Sequence, residues 1–128
     1  MTEISQPDKQ ILVVEDQADL RKLVSLTLRA QGRKLIEAAT AAEALARLEE
    51  SVPDVVLLDV MLPGGMSGVD ICRRIKGDPR LGRSIVILMT AADQAGQRQR
   101  AMQAGADHYV AKPFSPRQLR ELVASLLD

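Results

Sequence analysis

The chain has few of the residues that build disulfide frameworks, histidine sites or aromatic clusters. It has one cysteine, one histidine, no tryptophan, one tyrosine and one phenylalanine in 128 residues. A single cysteine excludes an internal disulfide and a cysteine metal cluster. We expect Cys72 to be a small buried hydrophobe on a helix, and His108 to lie at the surface or at a strand edge.

The chain also lacks a charge excess and a long apolar run. Basic and acidic residues both number 17, so the formal net charge is zero, and we expect no direct nucleic-acid binding by this segment. The apolar runs fall far short of the ~20 residues that span a bilayer, and the amino terminus has no signal-peptide core. We therefore expect a cytoplasmic protein that makes no membrane contact.

Short apolar runs alternate with segments of helical period. The strand-like runs lie near residues 11–14, 34–38, 55–58, 85–89 and 108–111. Five β units alternating with five α units predict an α/β fold with a parallel sheet. We expect residues 1–8 to be a disordered tail and residues 9–128 to form one domain.

Polar side chains follow four of the predicted strands. Asp59 follows the third, Glu15 and Asp16 follow the first, Thr90 follows the fourth and Lys112 follows the fifth. Ligands bind at the carboxyl ends of strands in open parallel sheets, so these side chains should converge. The combination of acids, a hydroxyl and an ammonium indicates phosphoryl transfer to a carboxylate.

The three acids are suited to a hard cation. Mg²⁺ prefers oxygen ligands and retains several waters, so one or two carboxylates of Glu15, Asp16 and Asp59 with the backbone carbonyl of Met61 would suffice. Lys112 would supply counter-charge. Each feature also has a plainer explanation, since an acidic pair after a strand is often only a helix N-cap.

Six segments of the chain match a known family in order. They are Val13 to Asp16, Leu58 to Pro63, Met66 to Gly68, Met89 to Ala92, Ala104 to Asp107 and Lys112 to Phe114. Through them the sequence resembles the response-regulator receiver domain of bacterial two-component signalling, over about residues 9–127. This resemblance and the pattern together predict a doubly wound, flavodoxin-like sheet of order 2-1-3-4-5 with helices on both faces.

The resemblance implies a role for each acid. Asp59 would be the phosphoacceptor, Asp16 a direct Mg²⁺ ligand, Glu15 an outer acidic ligand and Met61 a carbonyl ligand. The first acid is glutamate where aspartate is also frequent in the family, which adds one methylene.

The resemblance also implies roles for residues beyond the metal site. Thr90 and Lys112 would bind the phosphoryl group, and Tyr109 would be the switch aromatic that turns inward as Thr90 moves. The peptide bond from Lys112 to Pro113 is expected to be cis. The loop through Gly64 and Gly65 is one residue longer than the commonest family form.

The implied function is a phosphorylation-operated switch rather than an ordinary enzyme. Its partners would be a sensor histidine kinase or histidine phosphotransfer protein, and a downstream effector protein or domain. A homodimer through the fourth helix, fifth strand and fifth helix is a further expectation.

Three other functions are consistent with parts of the pattern. A haloacid-dehalogenase phosphatase needs a second aspartate two residues after the first, and Met61 stands there. A flavodoxin-like flavin carrier would need a hydroxyl-rich phosphate loop where Glu15 and Asp16 stand. A degenerate receiver acting only as a scaffold is disfavoured by the intact set of acids, threonine and lysine.

Overall fold

Five strands alternate with five helices in the computed structural model, which describes residues 8–91 and 96–127. The elements are β1 (Lys9–Val14), α1 (Ala18–Leu28), β2 (Arg33–Ala38), α2 (Ala41–Glu50), β3 (Val55–Asp59), α3 (Gly68–Gly77), β4 (Ile85–Ala91), α4 (Gln97–Gln103), β5 (His108–Lys112) and α5 (Pro116–Leu127). Of the predicted disordered tail, residues 1–7 lie outside the described residues.

The strands form one parallel sheet of order β2-β1-β3-β4-β5, which confirms the predicted topology. β3 lies at the centre and all five of its residues are buried. β4 extends two residues further than its apolar run indicated, so Thr90 is its penultimate residue rather than the first residue after it.

The helices cover both faces of the sheet, as predicted. Alternate strand residues point to opposite faces. Leu12, Val56 and Leu58 pack beneath α2, α3 and α4, whereas Ile11, Val13 and Leu57 pack beneath α1 and α5. The sheet is therefore enclosed by two apolar layers, and its carboxyl edge is left for polar chemistry.

The amino ends of β4 and β5 are joined by a polar network from α3. The Lys76 ammonium donates to the Ser84 carbonyl oxygen at 2.7 Å and contacts Asp107 Oδ2 at 2.8 Å. The same Asp107 oxygen accepts from the Val86 amide at 2.8 Å. These contacts hold the two strands together at the edge of the sheet opposite Asp59.

Two expectations outside the site are confirmed. Cys72 is fully buried on α3, where burial raises the pKa of its thiol to about 11. The peptide bond from Lys112 to Pro113 is cis. His108 is half-buried at the start of β5, the strand at one side of the sheet. Within the part of the chain that the structure describes, no helix is long and apolar enough to cross a membrane.

Candidate functional site

Asp59 is the last residue of the central strand β3 and is almost completely buried. Its side chain accepts two hydrogen-bond or ionic contacts, one at each oxygen. Oδ1 accepts from the Met61 amide at 3.1 Å, and Oδ2 lies 3.2 Å from the ammonium of Lys112, the last residue of β5. Two contacts from different segments fix the orientation of this carboxylate at the carboxyl edge of the sheet.

Glu15 follows β1 and is fully buried beside Asp59. Its Oε1 accepts from Lys112 at 2.8 Å, and its Oε2 accepts from the Gln17 amide at 3.0 Å. The N-cap of α1 is Gln17, whose side chain makes no capping hydrogen bond. Capping of α1 therefore does not explain the acidic pair.

Lys112 joins the two acids and is itself partly buried. Burial alone would lower the pKa of its ammonium, but the hydrogen bond to Glu15 and the negative charge of Asp59 outweigh that effect. The pKa of Lys112 therefore lies above its usual value. The side chain stays cationic at neutral pH, as a group that neutralises an incoming anion must.

The three acids form a cluster that could hold a metal ion. One carboxylate oxygen from each of Glu15, Asp16 and Asp59 lies within 4.8 Å of the others, and Asp16 is exposed to solvent. An all-oxygen donor set that is open on one side suits Mg²⁺, which retains waters when it binds. Met61, the predicted carbonyl ligand, lies beside the cluster with its amide on Asp59.

Thr90 has a buried hydroxyl that a phosphoryl group could hydrogen-bond. The residue is 1% exposed, and its Oγ1 is buried without a hydrogen-bond partner among the described residues. A buried hydroxyl without a partner is costly, and native proteins seldom retain one. Thr90 follows Met89, the strand partner of Asp59, so an oxygen-rich group on the Asp59 carboxylate would offer an acceptor on the neighbouring strand end. The acids thus suit a hard cation, and the unpartnered hydroxyl suits a phosphoryl group.

The predicted switch residue Tyr109 lies on β5 and pairs with Leu88 of β4. Its ring is partly buried and packs against the apolar layer beneath α2, α3 and α4. Thr90 is therefore two residues along β4 from the partner of Tyr109. Ala92, the last residue of the fourth segment that matches the family, lies outside the described residues.

Two residues at the site have a structural importance that the sequence analysis missed. A Cβ atom on Gly68 would lie 2.2 Å from the carbonyl oxygen of Asp59, so only glycine fits at the start of α3. Arg21 of α1 donates to the carbonyl oxygen of Glu15 at 2.8 Å. Nothing in the spacing of either residue indicated these contacts, because both are made with backbone atoms, which every residue has.

A capping box beside the site begins α3 and follows a sequence pattern that is recognisable without the structure. The Ser67 hydroxyl accepts from the Asp70 amide at 3.2 Å, and Asp70 Oδ2 accepts from the Ser67 amide at 3.0 Å. Serine followed three residues later by an acid is the usual pattern. The hydrogen bonds from Ser67 hold the pKa of Asp70 below its ordinary value.

Residues 11–124 match the family model for the response regulator receiver domain. The phosphate regulon transcriptional regulatory protein PhoB of Rhizobium meliloti is 40% identical over 92% of this chain and 52% of its own length. The transcriptional regulatory protein ResD of Bacillus subtilis is 36% identical over 94% of this chain and 48% of its own length. The chain thus spans about half the length of the curated relatives it matches.

Solved structures show the same fold. A response regulator described as putative, from Chloroflexus aurantiacus, superposes with a TM-score of 0.86 at 31% identity, covering 94% of this chain and 98% of that one. A beryllofluoride-activated DrrB receiver domain superposes with a TM-score of 0.84 at 37% identity, covering 94% and 97%.

Proposed function

Because this chain belongs to the response-regulator receiver domain family of signalling switches, we propose that it accepts a phosphoryl group on Asp59 in a Mg²⁺-dependent reaction. The phosphoryl donor is a phosphohistidine on a sensor histidine kinase or phosphotransfer protein. Residues 9–128 form the receiver domain in this proposal, and the cytoplasmic location expected from the sequence is part of it.

The observation that most strongly supports the proposal is that the site combines an oriented carboxylate with a buried hydroxyl that lacks a hydrogen-bond partner among the described residues. Asp59 is oriented by Met61 and Lys112, while Thr90 has a buried oxygen with no partner among the residues described. A carboxylate needs no activation by a base to attack phosphorus, so positioning and charge neutralisation are what the site must supply.

The phosphoryl transfer needs no reactant besides the phosphohistidine donor and Asp59. An oxygen of Asp59 forms a bond to phosphorus, the phosphorus–nitrogen bond to the donor histidine breaks, and its electron pair remains on the imidazole nitrogen. Lys112 and the Thr90 hydroxyl bind oxygens of the transferring group. A Mg²⁺ ion held by Asp16, Asp59 and the Met61 carbonyl, with Glu15 as an outer ligand, would neutralise the remaining negative charge.

Phosphorylation would alter the surface made by α4, β5 and α5. A phosphoryl group adds about −1.5 to −2 charges. Movement of Thr90 toward it would leave room for the ring of Tyr109 to turn inward. A groove of about 400 Å³ lined by Tyr109, Phe114 and Leu122 lies between β5 and α5. We propose that this surface contacts the downstream effector, or a second copy of the chain.

The test is intact mass after incubation with acetyl phosphate and Mg²⁺. The unmodified sequence should gain one phosphate and Asp59→Asn should gain none. Asp19→Asn is the matched control, because Asp19 is an exposed acid in the first turn of α1, and it should be phosphorylated at the rate of the parent. An undiminished adduct in Asp59→Asn would contradict the proposal.

A second measurement tests whether the acidic cluster holds the Mg²⁺ ion. Beryllofluoride with Mg²⁺ should shift the amide signals of Thr90, Tyr109 and Lys112, and the DrrB receiver domain is a structural neighbour described as activated by that compound. Asp16→Asn should lose both this response and the phosphate adduct while remaining folded. Retention of both at unchanged Mg²⁺ concentration would mean that the acidic cluster does not hold the ion.

A further inference from the structure

Arg21 joins three segments at the edge of the acidic cluster. Its Nη1 donates to the Glu15 carbonyl oxygen at 2.8 Å, and its Nε donates to Glu37 Oε1 on β2 at 3.1 Å. The side chain is 20% exposed, compared with 45% for its partner Glu37. A planar guanidinium that spans two acceptors has little freedom, so it holds the Glu15 carbonyl in one direction.

The other contacts of this segment complete a rigid support. The Glu15 amide donates to the Ala38 carbonyl oxygen at 3.0 Å, and the Gln17 amide donates to Glu15 Oε2 at 3.0 Å. Arg21 donates its own amide to the Gln17 carbonyl oxygen at 2.9 Å. The peptide plane between Glu15 and Asp16 is therefore fixed on its carbonyl side by Arg21 alone among these contacts.

We infer that Arg21 is a positioning residue for the metal site, because it fixes the peptide from which Asp16 reaches the acidic cluster. Asp16 is exposed and has no strand pairing of its own, since β1 ends at Val14. Its carboxylate nevertheless lies within 4.8 Å of those of Glu15 and Asp59. The inference rests on the proposed Mg²⁺ site and assigns Arg21 no contact with the ion.

Because Arg21 is positively charged, its electrostatic effect and its positioning effect predict opposite changes in Mg²⁺ affinity when it is removed. A guanidinium close to a cation site repels the cation, so its electrostatic effect alone predicts that removing Arg21 tightens Mg²⁺ binding. Glu37 offsets part of that repulsion through its ion pair with Arg21. Positioning predicts the opposite result, because a peptide that is no longer fixed leaves Asp16 less ordered and weakens binding.

The experiment measures Mg²⁺ affinity by titration calorimetry on the unphosphorylated full chain. Arg21→Met removes the charge and all donors at similar length, and it should raise the dissociation constant about tenfold, the lower end of losses typical for groups that orient metal ligands. Arg21→Lys keeps the charge but can reach only one acceptor, so it should show a smaller rise. Arg47→Met is the matched control.

The control removes an arginine of a different kind. Arg47 pairs with Glu50 at 3.0 Å on the exposed face of α2, and its loss should leave Mg²⁺ affinity unchanged. Urea unfolding and the amide signal of Asp16 are measured on every variant. Arg21→Met should remain folded while its Asp16 signal broadens or moves, a change that general destabilisation would not confine to that segment.

Equal or tighter Mg²⁺ binding by folded Arg21→Met would overturn the positioning role and leave the proposed function intact, provided that the parent binds Mg²⁺ and is phosphorylated. Failure of the parent and of Arg47→Met to bind Mg²⁺ would overturn the metal site, and the role of Arg21 with it. Weakening in Arg21→Met that also occurs in Arg47→Met would show that loss of any surface arginine suffices, which contradicts the inference.

Discussion

Gly68→Ala tests how tightly α3 packs against the strand that holds Asp59. The added Cβ would lie 2.2 Å from the Asp59 carbonyl oxygen, 2.9 Å from the Asp59 carbonyl carbon and 3.1 Å from the Val60 Cα. Non-bonded carbons pack at about 3.5–4.0 Å, so strand and helix must separate by roughly 1 Å. All three atoms belong to the backbone, so rotation of a side chain cannot relieve the contact.

The free energy of unfolding should fall by about 2 kcal/mol. Overpacking costs about 1–3 kcal/mol, and a backbone clash lies at the upper end of that range. Replacing glycine by alanine at the start of a helix returns about 0.5–1 kcal/mol through lower chain entropy in the unfolded state. Phosphorylation of Asp59 should slow by at least about tenfold, because a displacement of about 1 Å at a reacting group can cost about a hundredfold in rate.

The assay combines urea unfolding followed by circular dichroism with the initial rate of phosphorylation by acetyl phosphate. Gly77→Ala is the control, because Gly77 ends the same helix and its Cβ would meet nothing within 4 Å. It should be as stable as the parent or more stable by up to about 1 kcal/mol, with an unchanged rate. Parental stability and parental rate in Gly68→Ala would refute the packing argument.

Three further predictions concern lifetime, pH and output. The resemblance to receiver domains implies that the side chains of Met61 and Ala92 border the path of the water that hydrolyses the aspartyl phosphate. Polar groups there would orient that water, so Met61→Asn with Ala92→Glu should speed loss of phosphate by about tenfold, or roughly 1.4 kcal/mol of barrier; equal decay after donor removal would contradict this. The Cys72 thiol is protonated in the folded state up to about pH 11 but ionises in the unfolded state near its ordinary value of 9.0, so stability should fall across that window as pH rises. Cys72→Ala should lack up to roughly 2–3 kcal/mol of that fall in urea unfolding, and parallel curves for both proteins would disprove it. Beryllofluoride should shift amides of α4, β5 and α5 most, and shifts confined to α1 would exclude the proposed output surface.

The topology was predictable because each strand is short, apolar and bounded by turn residues. Parallel strands buried on both faces, such as β3, have continuous apolar sequences that are readily recognised. The carboxyl end of β4 was less predictable, since Thr90 is polar yet still pairs with Ala111 of β5. Burial of a hydroxyl at a strand end leaves no mark in the apolar pattern that precedes it.

The acidic cluster was predictable from strand order, whereas its supports were not. Glu15, Asp59 and Lys112 stand at the carboxyl ends of strands that become neighbours or near neighbours, so a correct topology places them together. Gly68 and Arg21 act on backbone oxygens, and any residue offers a backbone oxygen. A sequence therefore contains no cue for which carbonyl a glycine must approach or which one a guanidinium will bind.

The Lys76 network ties β4 and β5 together at the end of the sheet that lies opposite the acidic cluster. Ser84, Val86 and Asp107 are held together where β4 and β5 begin, while Thr90 and Lys112 stand where these strands finish. If phosphorylation of Asp59 displaced the carboxyl ends of β4 and β5, the two strands would turn about the Lys76 contacts as about a hinge, with the smallest displacement near Lys76 and the largest near Asp59. Small changes around Asp59 would then be magnified along the outer strand without disturbing the register set at its beginning.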